Sequence, residues 1–227
     1  MQLKKIQYYF KEYHQWLKKA RDYRQAHQWE AQLNFQTHWE EGAADFAAMY
    51  DRSLQNSQTR RLWKDQSYQP KAMMLKFIAL QPDYAWAMFR DLFDERKDIG
   101  DRVVRFKLGC DELLRQYKTK HIASIDNNHY HEDNRMIALY LAFRYPLEYT
   151  FFDYPAFEKT MKKLGSVNIP TPQEIDRFFK TSRTLYKFAQ KEEGLVETQR
   201  RCLPERNHFR QGSLLLIHDF YQYCARE

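Results

Sequence analysis

The sequence predicts a mostly α-helical, multi-helix fold with at most one short β segment, and three observations predict it. Apolar residues recur at three- and four-residue spacing through most of the chain. Only six glycines and seven prolines interrupt its 227 residues. A hydrophobic content of 43% and an aromatic content of 16% are ample for a core, while a mean hydropathy of −0.84 leaves the remaining surface very polar.

Taken in order, Leu3, Ile6, Phe10, Tyr13 and Leu17 form the stripe of a first helix. Trp29, Leu33, Phe35 and Trp39 mark a second, ended near Gly42, and Phe46, Met49, Tyr50 and Leu54 mark a third. The polar run 55–59 reads as a loop. Pro70 suits a first helical position, since it has no backbone donor to lose there, with Met73, Met74, Phe77 and Ile78 buried behind it. Pro82-Asp83 opens a helix whose inward residues are Trp86, Phe89 and Phe93. Ile99, Val103, Phe106, Cys110, Leu113 and Tyr117 make the longest clean repeat. After a loop over 121–131, Asp133 or Asn134 caps a helix with Met136, Ile137, Tyr140, Leu141 and Phe143 on one buried face. Pro146 ends it by restricting Tyr145.

Tyr149–Phe152 is aromatic and β-favouring, a short strand or an extended connector. Pro155 opens a helix that runs to Gly165. Thr171, Pro172 and Glu174 have the capping-box spacing for a helix burying Ile175, Phe178, Phe179, Leu185 and Tyr186. A last helix from Ser213 carries Leu214, Ile217, Phe220, Tyr221 and Cys224. The Pro-rich run 168–172 suggests a helical domain over 1–166 and a C-terminal helical subdomain over 167–227.

No run of some 18 apolar residues is present, so no membrane partner is expected. The first residues lack a small-residue cleavage site, and three unevenly spaced cysteines read as reduced thiols, which together predict the cytoplasm. No glycine is followed by Lys-Ser or Lys-Thr, which excludes a phosphate-cradling loop of the NTPase type. His121, His129 and His131, beside Glu132 and Asp133, are the one metal-like grouping, but a solvated loop explains them better than converging ligands. Cys110 and Cys224 fall on buried stripes, Glu40-Glu41 on a solvated helix end, and no G-x-S-x-G turn exposes a serine. No catalytic residue, cofactor or metal is therefore expected.

A net charge of +7 favours an anionic partner. Arg102, Arg105, Lys107, Lys118 and Lys120 (with Arg115 among them) fall on or near the polar side of the 99–117 helix and are the phosphate-contact candidates. Lys159, Lys162 and Lys163 form a second cluster, and Arg200, Arg201, Arg206 and Arg210 a third. Reading an altered or extruded base needs an aromatic-lined pocket as well. Trp29, Trp86 and Phe106 are expected in the core, whereas Tyr130, Arg135, Arg144 and Tyr145 are placed near a recognition surface.

The segment His129-Tyr130-His131-Glu132-Asp133-Asn134-Arg135, followed by Phe143-Arg144-Tyr145-Pro146-Leu147-Glu148-Tyr149, resembles part of a known bacterial domain. So do Trp29-Glu30-Ala31, Phe35-Gln36 with Trp39, and the run from Met88 to Glu95. Together, over most of residues 1–164, they resemble the helical N-terminal region of McrB-like AAA+ GTPases, the motor subunits of modification-dependent (type IV) restriction systems. The resemblance implies a specificity module for modified DNA in an antiviral defence system, serving a GTP-hydrolysing ring and its endonuclease partner. Such modules are diverse, so it carries over no binding residue. The expected function is non-enzymatic recognition of nucleic acid. The rival expectation is a helical protein-interaction or oligomerisation module that binds a partner subunit or phage component.

Overall fold

In the computed structural model, the described residues are 1–20, 23–64, 68–122, 130 and 133–226. They hold eleven α-helices and no strand: α1 (Leu3–Lys19), α2 (Ala26–His38), α3 (Phe46–Ser53), α4 (Pro70–Leu80), α5 (Pro82–Leu92), α6 (Ile99–Lys120), α7 (Arg135–Arg144), α8 (Tyr154–Lys163), α9 (Ile175–Ala189), α10 (Leu195–Cys202) and α11 (Leu215–Arg226). A 3-10 turn over Thr59–Arg61 precedes α4. Local chemistry explains the starts. Asp45, Asp98 and Asp153 each accept a first-turn backbone N–H, and Pro70 and Pro82 occupy first-turn positions. Gly165 takes φ +67° just after α8, a conformation costly for any residue with a Cβ.

α7 is the central element. The spacing predicts one buried face, but all eight residues from Met136 to Phe143 are buried. A helix apolar around its whole circumference belongs inside a bundle, and here its neighbours surround it. Its C-terminal carbonyls, which have no partner within the helix, are met by amides of α2. Gln32 donates to the Ala142 carbonyl at 2.9 Å, and Gln36 donates to those of Phe143 and Arg144. Beside it, the Tyr50 hydroxyl lies 2.5 Å from that of Tyr140, which lies 2.7 Å from that of Tyr130; Tyr130 donates to the Pro70 carbonyl at 3.0 Å.

α2 to α7 pack on one another, while α9, α10 and α11 pack on α1 and α8 packs on α11. Phe10 stacks on Phe220 at 4.2 Å, and Phe157 meets Tyr221 edge-on at 5.6 Å. The halves are sewn together by backbone bonds from Phe209 to the Trp29 carbonyl and from Leu214 to the Pro146 carbonyl. The boundary expected at 166/167 thus falls inside a shared core.

Tyr149–Phe152 is a buried connector, one of the two forms expected of it, with the Thr150 hydroxyl bonded to the Leu214 carbonyl. Other details differ from expectation. Trp86 is half-buried, and Ala85 and Met88 point inward instead. Thr171 does bond Glu174, through its N–H at 2.9 Å and its hydroxyl at 3.1 Å, but these close a turn, and α9 begins only at Ile175. α10 carries too few apolar residues for its pattern to foretell it.

Candidate nucleic-acid interface

A cleft of about 630 Å³ opens where five segments meet. These are the start of α2 (Gln25, His27, Gln28), the end of the 3-10 turn (Arg61, Leu62), the start of α7 (Asp133, Arg135, Leu139), the connector into α8 (Phe151 to Pro155) and α11 (His218, Gln222). Its size is that of an ordinary small-ligand pocket.

The rim carries two arginines and the acid Asp133. Arg61 is exposed and donates to the Arg24 carbonyl at 3.0 Å. Arg135 is also exposed; it pairs with Asp133 at 2.8 Å and lies 4.0 Å from the centre of the Tyr68 ring. The interior is aromatic and polar. Gln222 donates to Asp153 at 2.5 Å, leaving the second carboxylate oxygen of Asp153 to cap α8. Phe151 contacts the His218 ring edge-on at 5.3 Å.

Burial pushes the pKa of His218 down to about 4; the nearby Asp153 carboxylate only partly offsets this, and His27 adds to it. His27 is lowered by burial as well. Both rings are therefore neutral near pH 7, and hydrogen-bonding capacity is left over. Among the described residues, His218 Nδ1 and Gln28 Oε1 are buried with no partner. A buried polar atom without a partner favours any occupant that supplies one.

The cleft continues on two sides. A polar hollow of about 510 Å³ shares His27 and Arg61 with it and adds Arg24, Glu30 and His208. A smaller one of about 170 Å³ shares Gln25 and Gln222 and reaches Trp16 on α1 and Arg226 on α11. Its floor holds Asp219, which burial keeps well above the ordinary carboxylate range and which accepts a hydrogen bond from the Tyr23 hydroxyl.

Of the nucleic-acid-contact candidates named from the sequence, Arg135 alone lines this cleft, beside Asp133 of the metal-like grouping. Arg102 is corrected outright. It is 2% exposed and bonds the Leu92 carbonyl at 2.8 Å, Glu95 at 2.7 Å and the Tyr149 hydroxyl at 2.7 Å, so no phosphate reaches it. Tyr130 is corrected likewise: it is 1% exposed, its hydroxyl engaged with Tyr140 and Pro70. Arg105 is held by Asp91 at 2.8 Å, and Lys107 is half-buried. Lys118 and Lys120 are exposed in the last turn of α6. Arg144 pairs with Glu41 at 2.6 Å, and Tyr145 donates to the Phe93 carbonyl at 2.6 Å. Arg144 is nine residues on from Arg135 along α7, about 13 Å at helical rise.

His129, His131 and Glu132 lie outside the described residues. Among those described, no three metal-ligating side chains converge, and no helix is long and apolar enough to cross a membrane. Cys110 and Cys224 are buried and Cys202 is half-buried.

Sequence reasoning missed Arg24, Arg61, His27, Gln28 and His218, because these lie on separate segments that only packing unites. It also missed the outer face of α1, although its signal was available: five lysines and one acid lie in seventeen residues. No known protein family, curated protein or solved structure matches this chain.

Proposed function

We propose that this chain is a non-enzymatic, cytoplasmic DNA-recognition module of the kind that its resemblance to McrB-like restriction systems implies. In this reading it detects a modified base, and any GTPase or nuclease activity belongs to another domain or subunit. The observation that carries the reading is the cleft, where Arg61 and Arg135 border an interior of rings and unpartnered polar atoms, with Asp133 and Asp153 as its acids. Guanidinium groups suit phosphates, and a planar base turned out of its stack suits walls of rings with hydrogen-bonding groups between them. Discrimination would come from Gln28 and His218, affinity from the rim.

Fluorescence anisotropy with modified and unmodified duplexes tests this. Arg61→Ala combined with Arg135→Ala is expected to weaken binding to both duplexes and to reduce the salt slope by about 1 per residue. Gln28→Leu is expected to reduce the preference for the modified duplex. Absence of binding at low salt removes the proposal. It would move the reading to a protein-docking module, which Val104 and Leu108, exposed one turn apart on α6, would then serve.

A further inference from the structure

Beyond the cleft, we infer that the outer face of α1 is a docking surface for the phosphate backbone of DNA, an inference that rests on the DNA-binding part of the proposed function. Lys4, Lys5, Lys11, Lys18 and Lys19 are all exposed on this helix, and Glu12 is its only acid. Lysines on a merely solvated helix face are commonly balanced by acids three or four residues away. Elsewhere in this chain that pattern holds, in Arg115 with Glu112, Lys162 with Glu158, Arg177 with Glu174, and Arg200 and Arg201 with Glu197.

On α1 it fails completely. The positions three and four residues from Glu12 are Tyr8, Tyr9, Gln15 and Trp16, so no lysine of the helix has an acid at pairing distance along it. Lys18 and Lys19 suit the negative end of the helix dipole, but Lys4 and Lys5 sit in the first turn, where cations are disfavoured. Their own helix gives them no compensating carboxylate, so their placement is explained by something the helix meets.

Three further observations select a nucleic acid. Tyr8 is 57% exposed and Trp16 37% exposed between the lysines, offering ring faces of the type on which bases and sugars lie. Both ends of α1 are extended by elements with an excess of cations. Gln2 bonds the Leu164 carbonyl at 2.8 Å, which brings up the last turn of α8, where Lys163 adds to the Lys162 already paired with Glu158. At the other end α10 packs through Thr198, 2.9 Å from His14, and Cys202, 3.7 Å from the Leu17 carbonyl, beside Arg200 and Arg201, which share the one carboxylate of Glu197. Finally, Trp16 lines the small hollow that shares Gln25 and Gln222 with the main cleft, so the cationic face leads to the proposed base site. Among the described residues, Glu192 approaches α1 from another element, 4.0 Å from the His14 ring, whose protonated form burial disfavours.

The test is salt-dependent anisotropy on the full chain carrying K4E, K11E and K18E together, with K4Q, K11Q and K18Q as a milder set should the reversals disturb folding. Circular dichroism and melting temperature establish that each variant folds as the wild type. The slope of log affinity against log salt is expected to become shallower by about 0.9 for each phosphate that is no longer neutralised. The weakening should be equal on modified and unmodified duplexes. An unchanged slope in a folded variant overturns the inference. So does an unchanged slope accompanied by failure to sediment with phosphatidylserine vesicles that bind the wild type, which would make the surface a membrane-docking one. A wild-type chain that binds both duplexes equally, with a slope these variants reduce, overturns the base-site reading while supporting this one.

Discussion

At the scale of single residues, two adjacent side chains of α11 oppose each other in their response to pH. His218 is held neutral, its pKa near 4 against an ordinary 6.5. Between those values the unfolded chain takes up a proton that the folded chain refuses. The stability tied to the neutral ring is complete above pH 6.5 and is lost as pH falls toward 4, a difference of about 3 kcal/mol for full burial. Asp219 behaves in the reverse sense. Its carboxyl is raised well above 3.8 by burial, so its contribution is present in acid and is lost as pH rises through the folded-state pKa. Thermal unfolding from pH 4 to 8 should therefore show His218→Phe losing less stability than the wild type on the acid side. Asp219→Asn should lose less on the alkaline side. His27 and His14 are also lowered by burial, so some acid sensitivity will persist in the His218 variant.

Among elements, Arg102 shows what a buried cation does. It joins the C-terminal end of α5, the body of α6 and the connector after α7 through Leu92, Glu95 and Tyr149. Arg102→Met should destabilise the fold by about 2–3 kcal/mol in urea unfolding, because the Leu92 carbonyl and the Tyr149 hydroxyl lose a charged donor. Below the transition, DNA affinity should stay unchanged, since this side chain is buried away from the surface. The burial was legible: residues 102, 106, 109 and 113 form a helical stripe, and all four are buried. Counting Arg102 among solvated cations overlooked that phase. The eight consecutive apolar residues of α7 likewise announced a fully enclosed helix, although their spacing also fits one face. Periodicity and turn chemistry made the helices readable except for α10, whose surface is mostly polar. The cleft was not readable, because Gln28, Arg61, Arg135, Asp153 and His218 are scattered across the chain and share no local pattern.

For the whole molecule, the packing of α11 against α1 and α8 decides what can be separated. A chain ending at residue 166 would uncover the faces of Phe10 and Phe157 that Phe220 and Tyr221 now cover. Residues 1–166 alone should therefore show no cooperative thermal transition; a monomer that melts sharply would refute a single shared core. The row of tyrosines from α3 to the opening of α4 carries a further consequence for the molecule as a unit. A carbonyl oxygen has no hydrogen to offer, so at Pro70 the Tyr130 hydroxyl must be the giver. Tyr140 must then direct its own hydrogen toward Tyr130, and Tyr50 toward Tyr140. Each hydroxyl owns a single hydrogen. The sequence of dipoles consequently runs one way through the protein's interior, and no ring can reverse its hydroxyl without undoing the order of the others.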